Sequence, residues 1–380
     1  MPSTDDEATP ETELRVPYRG RELRGHELEG QLDSWVRSGV VEPSFAVAIR
    51  RVMEHPEWLA LPGRRALIIG AGAEMGPLEP LSRWGADVIA IDLPVKKIWT
   101  RVTGMIRQGA GKATIPLTAD GTPGVDVVRS LAETRMWLDE VAGGDQLILG
   151  TYAYADGGAH VCVSAAVDAL ATDLLERRRG TALAYLATPT DAFVVPQDAV
   201  ADARTAYANR GLRGVLQTPL RAVSLGRLFA PAYPGSSRVV DVLIAQQGPN
   251  YALAKRLQRW RGVTASANGA PVSFNVAPAT WTQSVTRNRV LAAAYAGARR
   301  FGIEIFAPAT SRVLMAALLV HDLNAPPPAR CHPEVLFSDG AAHGGLWRAA
   351  YQPRSVLGVA ALTGVHTALR IPQRSGEAEG

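Results

Sequence analysis

The chain has 380 residues, of which 47% are hydrophobic and 20% charged, with a formal net charge of +4, enough apolar material for one large or two ordinary folded domains. Its basic residues are mostly arginines scattered along the chain and not gathered into tracts, which speaks against a nucleic-acid partner. Two cysteines, Cys162 and Cys331, give no disulfide framework and point to a reducing compartment, so a cytoplasmic location is expected.

Residues 1–14 are rich in acids and carry no apolar run, so a disordered leader over 1–20 is expected and no secretory signal. Helical apolar spacing through 24–58 predicts one or two helices forming an extension over 21–62. A short apolar strand at 66–69 then enters the glycine-rich segment Gly70-Ala71-Gly72-Ala73-Glu74-Met75-Gly76. A helix to about Trp84 and a second strand at 87–92 complete a β-α-β opening. Beyond it the pattern predicts a helix at 94–106, a small strand at 112–117 and a helix over 125–141. A buried strand at 146–149, a long helix at 159–178 and a strand at 181–187 follow.

Helices are expected at 197–210 and 212–229, then a β-branched strand at 238–245 and a helix from about Asn250. The remainder predicts a strand at 272–276, helices at 287–301 and 311–323, a strand at 334–337, and a C-terminal helix and tail over 348–380. The apolar stretch 355–369 is broken by Thr363 and His366 and is too short to span a bilayer, so no membrane span is expected. Strands alternating with helices for most of the chain imply an α/β fold with a doubly wound parallel sheet, of Rossmann type, over 63–347.

Glycines are needed where a first strand turns into a helix, because a Cβ there keeps the backbone from a pyrophosphate whose charge the helix-start amides meet. Gly70, Gly72 and Gly76 meet that need, with Glu74 and Met75 inside the loop, and Asp92 ends the next strand where a carboxylate accepts from ribose hydroxyls. That carboxylate repels a 2′-phosphate, so NAD is favoured over NADP, a preference that the nearby Lys96 and Lys97 weaken. The same glycines also suit plain structural turns. S-adenosylmethionine is the rival ligand, ranked lower because Ile68-Ile69 stands where methyltransferases usually carry an acid.

After the strand predicted at 238–245 comes Gln246-Gln247-Gly248-Pro249-Asn250-Tyr251-Ala252-Leu253-Ala254-Lys255. A Tyr-x-x-x-Lys spacing puts both side chains on one helix face, where the ammonium lowers the phenol pKa and readies it for proton exchange with a carbonyl. This arrangement resembles the short-chain dehydrogenase/reductase family, and the resemblance runs over most of 64–345. It implies Tyr251 as acid/base and Lys255 as its activator and ribose holder. It further implies Asp156 near an adenine, Asn209 holding a relay water, and a homo-oligomer. Ser273-Phe274-Asn275-Val276-Ala277-Pro278-Ala279-Thr280 is similar to the family's Asn-x-x-x-Pro-Gly stretch, which places Pro278 and Thr280 at the cofactor, and Glu334 to Gly340 is similar to its terminal Val-Asp-Gly-Gly segment.

Four departures accompany the resemblance. Glu74 occupies the middle glycine of Gly-x-x-x-Gly-x-Gly, and Ala187-Thr188-Pro189-Thr190 stands for the Asn-Asn-Ala-Gly segment, with Thr188 expected at the cofactor. Residues 94–144 read as an insertion. The serine expected about a dozen residues before Tyr251 is missing, Arg238 standing there, with Gln246 or Gln247 as substitute donors. Among other groups, His160 reads as a cap or an acid/base group and Asp191 as a turn residue. Cys331, His332, Asp339 and His343 have metal-capable side chains but no tight ligand spacing, so no metal is expected. Trp35, Trp281 and Trp347 read as core before pocket.

The expected function is NAD(P)-dependent oxidoreduction at a carbonyl or hydroxyl of a small apolar or biosynthetic metabolite. The alternatives are a non-redox cyclisation, dehydration or isomerisation on the same fold, an S-adenosylmethionine-dependent methyltransferase, and a non-catalytic nucleotide sensor.

Overall fold

The computed structural model describes residues 8–327 and 332–368. The chain opens on a hairpin of β1 (Val16–Tyr18) and β2 (Arg21–Leu23), joined by Arg19 and Gly20, both with positive φ, the two-residue turn whose twist matches that of its strands. Part of the segment expected to be disordered is therefore ordered. Leu14 and Val16 are buried, and burial of those two apolar side chains is what the acid count of the first residues conceals.

Two helices follow, α1 (Gly25–Arg37) and α2 (Pro43–Glu54), presenting Leu28, Leu32, Trp35, Phe45, Ile49 and Val52 on their buried faces. The elements that come next are β3 (Arg64–Ile69), α3 (Leu78–Arg83), β4 (Asp87–Ile91), α4 (Lys96–Arg107), β5 (Ala113–Thr114), α5 (Leu131–Val141), β6 (Gln146–Thr151), α6 (Gly158–Arg177) and β7 (Ala182–Ala187). The chain then leaves the sheet through β8 (Ala192–Val194), α7 (Gln197–Ala208), α8 (Leu212–Val223) and β9 (Val239–Asp241). It returns with α9 (Gly248–Ala267) and β10 (Val272–Val276), and ends with α10 (Gln283–Arg287), α11 (Arg289–Ala298), α12 (Pro308–Asn324) and α13 (Pro353–Ala368).

Six parallel strands form one sheet in the order β10-β7-β6-β3-β4-β5. Numbered by their place in the sequence, this is the 3-2-1-4-5-6 order of a doubly wound dinucleotide fold. Along β3, Ala66 and Ile68 join the core beneath α1, α2, α3 and α12, while Leu67 and Ile69 join the core beneath α6 and α9. Burial on both faces is why these strands read as unbroken apolar runs. The helix α6 has the length and hydropathy to cross a membrane by composition alone; here it lies along the sheet beside α9.

Three expectations about elements are corrected. Residues 94–144 hold the ordinary crossovers of the sheet, α4 into the edge strand β5 and α5 into β6, and the real excursion is the segment between β7 and α9. The strand expected at 238–245 shrinks to β9, which pairs antiparallel with β8 outside the sheet; its β-branched residues satisfy a local hairpin instead of a sheet position. At 334–337 there is a 3-10 turn (Pro333–Phe337), opened by a proline and by His332 Nδ1 accepting the Glu334 amide, and no seventh strand joins the sheet among the described residues.

Over the carboxyl ends of β7 and β10, α11 and α13 form a close pair. A Cβ at Gly297 would stand on the Ala360 carbonyl oxygen, and one at Gly364 on that of Ala293, so both glycines are required for the helices to touch backbone to backbone. Gly364→Leu is expected to destabilise the protein by more than about 2 kcal/mol through this clash. Gly358→Ala, where open space surrounds the added carbon, should be neutral or stabilise by about 0.5–1 kcal/mol. Urea midpoints of the two variants check both signs.

Candidate active site

The glycine loop leaves β3 at Gly70, whose φ of +84° and whose neighbours exclude any side chain: a Cβ would strike the backbone of Ala153 in the loop after β6. The two loops thereby meet at the point where strand order reverses, the usual place for a ligand crevice in such sheets. Much of the loop's hydrogen bonding is internal. The amides of Gly70 and Ala71 donate to the Ile91 carbonyl, those of Ala73 and Gly76 close turns within the loop, and that of Gly72 donates to Asp92 Oδ2 at 2.8 Å.

Asp92 sits at the carboxyl end of β4, with Oδ1 accepting the Leu93 amide at 2.8 Å. Burial pushes its carboxyl pKa up, while these two amides and Arg101 pull it down. Arg101, reaching back from α4, donates to the Gly72 carbonyl. Glu74 turns away from the cleft: its carboxylate accepts the Gln283 amide at 2.8 Å at the start of α10, and Met75 packs half-buried against the core. Lys96 and Lys97 are exposed at the start of α4.

The second group gathers at the carboxyl end of β7. From α9, Lys255 Nζ lies 5.8 Å from the Tyr251 ring centroid and donates to the Leu186 carbonyl at 3.2 Å and to Gln258 Oε1 at 3.0 Å. Enclosure lowers its pKa to about 8, against the pull of Asp191. The Tyr251 phenol is pushed up by burial, and a hydrogen bond with the Thr188 hydroxyl works the other way. Thr188 Oγ1 lies 2.8 Å from Thr190 Oγ1, which accepts from Gln247 Nε2 at 2.6 Å. A hydrogen-bonded run Gln247, Thr190, Thr188 thus reaches the neighbourhood of Tyr251.

Thr188 is the hydroxyl that linear spacing missed. The strand of the sheet that precedes Tyr251 is β7, the fifth in sequence order, and not the run at 238–245, which lies outside the sheet. The whole excursion through α7 and α8 separates the strand end from the helix in sequence while leaving them adjacent in space. Cues present in the sequence were the apolar run of β7 and the hydroxyl immediately after it.

His160 stacks on Tyr251, centroids 5.5 Å apart and planes 15° apart. It is buried, its Nδ1 accepts the Ala155 amide, and its Nε2 has no partner. Burial and the Lys255 charge bring its pKa to about 4, against the opposing pull of Asp156, so the ring is neutral at ordinary pH. Asp156 is exposed and accepts from the Tyr154 hydroxyl at 3.0 Å, and Tyr154 in turn lies 6.2 Å from the Tyr251 ring.

Other expected residues lie elsewhere or serve packing. Asn209 is exposed at the end of α7, in the excursion and not on a crossover helix of the sheet. Thr280 is buried, donating to the Pro278 carbonyl and sharing a 2.7 Å hydrogen bond with Ser311. Asn275 is held by Ser273 and Asp322. Asp191 is more than a turn residue, since it is buried between Arg256 and Arg259. His343 is buried against Glu42, Cys331 lies outside the described residues, and among the described residues no cluster of three metal-ligating side chains occurs.

Beside Thr190 opens an apolar cavity of about 70 Å³, walled by Val242, Ile244, Ala279, Tyr295 and Phe301 under α11 and α13. Trp281 flanks it, tilted on Tyr295, whereas Trp35 and Trp347 are core. The volume is well below the ~300–1,000 Å³ of ordinary ligand pockets, so the two helices close down tightly on it.

Because the folded His160 has a pKa below the 6.5 of a free imidazole, the unfolded chain binds the extra proton first, and stability is lost as pH falls from about 6.5 toward about 4. The loss amounts to up to roughly 3 kcal/mol. His160→Phe, which keeps the stacking and cannot protonate, is expected to flatten this part of the curve of melting temperature against pH.

No family model matches the sequence, and no curated protein matches it. Among solved structures the chain is similar in fold to a short chain dehydrogenase from Bacillus anthracis, at 13% identity over 74% of this chain and 94% of that one, with a TM-score of 0.39. It is also similar to the angucycline C-6 ketoreductase LanV with bound NADP, at 17% identity over 76% of this chain and 97% of that one, with a TM-score of 0.40. At these identities and scores neither structure informs the site, and the fold class stands on the strand order itself.

Proposed function

We propose that the chain is an oxidoreductase that takes a nicotinamide dinucleotide along the carboxyl ends of the sheet and exchanges a proton between Tyr251 and the oxygen of a small apolar substrate. The observation that carries this reading is the run Gln247, Thr190, Thr188 reaching Tyr251, with Lys255 alongside and Thr190 lining an apolar cavity. A phenol with a hydroxyl partner and a nearby ammonium is equipped to give a proton to a developing alkoxide and to recover it. Burial holds the phenol protonated, Thr188 pulls the other way, and Lys255 stands 5.8 Å from the ring.

Several groups fit a dinucleotide. Each Asp92 oxygen accepts one amide and keeps a second lone pair for a ribose hydroxyl. Lys255 has committed two of its three N–H bonds, and the amides of Glu74 and Met75 remain for a phosphate. The cofactor, when bound, supplies the hydride. The Asp92 carboxylate, beside an adenosine ribose, disfavours a 2′-phosphate and so favours NAD over NADP.

A second reading keeps Tyr251 as acid/base and drops the hydride, giving a dehydration or isomerisation. It is favoured by the engaged amides of Gly70, Ala71, Gly72, Ala73 and Gly76. Titration with NADH, NADPH and S-adenosylmethionine, followed by fluorescence and melting temperature, separates the readings. A response to NADH supports the redox reading, silence to both nicotinamides ends it, and a response to S-adenosylmethionine alone turns the site to methyl transfer. Tyr251→Phe is expected to lower turnover by about 10²–10⁴-fold with cofactor affinity unchanged. Thr188→Val should lower kcat by about 10-fold or more while leaving KM for the cofactor in place.

A further inference from the structure

The helix α8 is built inside out. Leu212, Val215, Leu216, Leu220 and Val223 recur at spacings of three and four and so share one face. That face points to solvent: Leu212 is 84% exposed, Leu216 73% and Val223 86%, and Leu225 just beyond is 86% exposed. The polar residues turn inward instead. Gln217 accepts from the Tyr351 hydroxyl, and Arg221 donates to the Tyr207 hydroxyl at 2.6 Å. A surface helix of a protein bathed only in water has the opposite arrangement.

The charge within the segment that carries this helix is of one sign. Between Asp202 and Asp241 stand six arginines and no acid. Arg204 and Arg238 spend hydrogen bonds on the carbonyls of Gly235 and Val195, Arg221 on the Tyr207 phenol, and Arg210 lies over the Tyr207 ring, so their charge is not cancelled by carboxylates. Arg227 is exposed beside Leu225.

We infer that α8 is a docking face for an anionic lipid surface, its leucines and valines entering the acyl boundary while the exposed arginines of the same segment, Arg227 foremost, meet the headgroups. An exposed apolar face with cations along its border is the pattern that lies in a membrane interface. A second copy of the chain fits less well, because pairing α8 with itself brings two arginine-rich, acid-free borders together. The helix also touches the wall of the apolar cavity through Tyr351. Tyr351, which takes Gln217, lines that cavity, and with Tyr207, Phe229 and Phe301 it forms the aromatic cluster at its edge. Docking through α8 sets the cavity beside the bilayer, where apolar molecules are concentrated.

The test is pelleting of the full-length protein with vesicles of phosphatidylcholine alone and with vesicles that also contain phosphatidylglycerol. Binding is expected to the anionic vesicles, to weaken as salt is raised, and to fall by at least about tenfold in Leu216→Gln/Val223→Gln, which alters only exposed positions. Equal pelleting of wild type and variant, or wild type left in the supernatant, overturns the inference. So does a dimer in sedimentation velocity that the variant converts to monomer while vesicles go unbound, which assigns the face to a second copy. The cofactor titrations stand apart from this experiment, and either result leaves the other interpretable.

Discussion

Everything at the carboxyl edge depends on β3 being paired on both sides and buried on both faces. With β4 on one flank and β6 on the other, its backbone is satisfied throughout, and the chain can leave it only upward into the loop at Gly70. The glycine there admits the β6 loop to backbone contact, and the same loop carries Tyr154, whose ring lies 6.2 Å from that of Tyr251. A side chain at Gly70 would push these two loops apart.

The rest of the chain is wrapped around that sheet by a few buried polar ties. Glu42, at the start of α2, accepts from His343 Nε2 and from Arg348 Nε, both at 2.9 Å, and Arg348 goes on to Asp198 at 2.7 Å. Burial pushes His343 down while the carboxylate beside it pulls it up. These contacts bind the N-terminal helices, the segment before α13 and the excursion helix α7 to one another. Losing Arg348 would leave the Glu42 carboxylate, 2% exposed, without its cation, at a cost of several kcal/mol. On the other side, Arg259 is held between Asp191 and Glu334 while its guanidinium lies over Phe193 and Phe337. The excursion is therefore anchored at its root even as α8 stands out from the surface.

This arrangement divides the chain by physical task. The sheet and its crossovers make the crevice, the excursion carries the inverted helix, and α11 with α13 makes the roof over the apolar cavity. The roof is possible because small residues let two helices approach at their backbones. Such a roof is shape-specific, and its cavity is correspondingly small.

Periodicity alone located nearly all of the sheet, because strands buried on both faces must be apolar throughout and helices between them must be amphipathic. The glycine loop, Asp92 and the pairing of Tyr251 with Lys255 were legible for the same reason, each being a local relation within a turn, a strand end or a helix face. What local pattern does not encode is which strand a helix finally follows. The run at 238–245 has the composition of a sheet strand and became a hairpin edge, while Thr188, far from Tyr251 in the chain, became its hydroxyl partner when β7 took the fifth place in the sheet. Likewise the apolar spacing of α8 was visible as helical, but its direction was not, since a moment has the same size whether it points at the core or at the solvent. Only tertiary packing, by giving Gln217 and Arg221 their partners inside, decided which way that face would point.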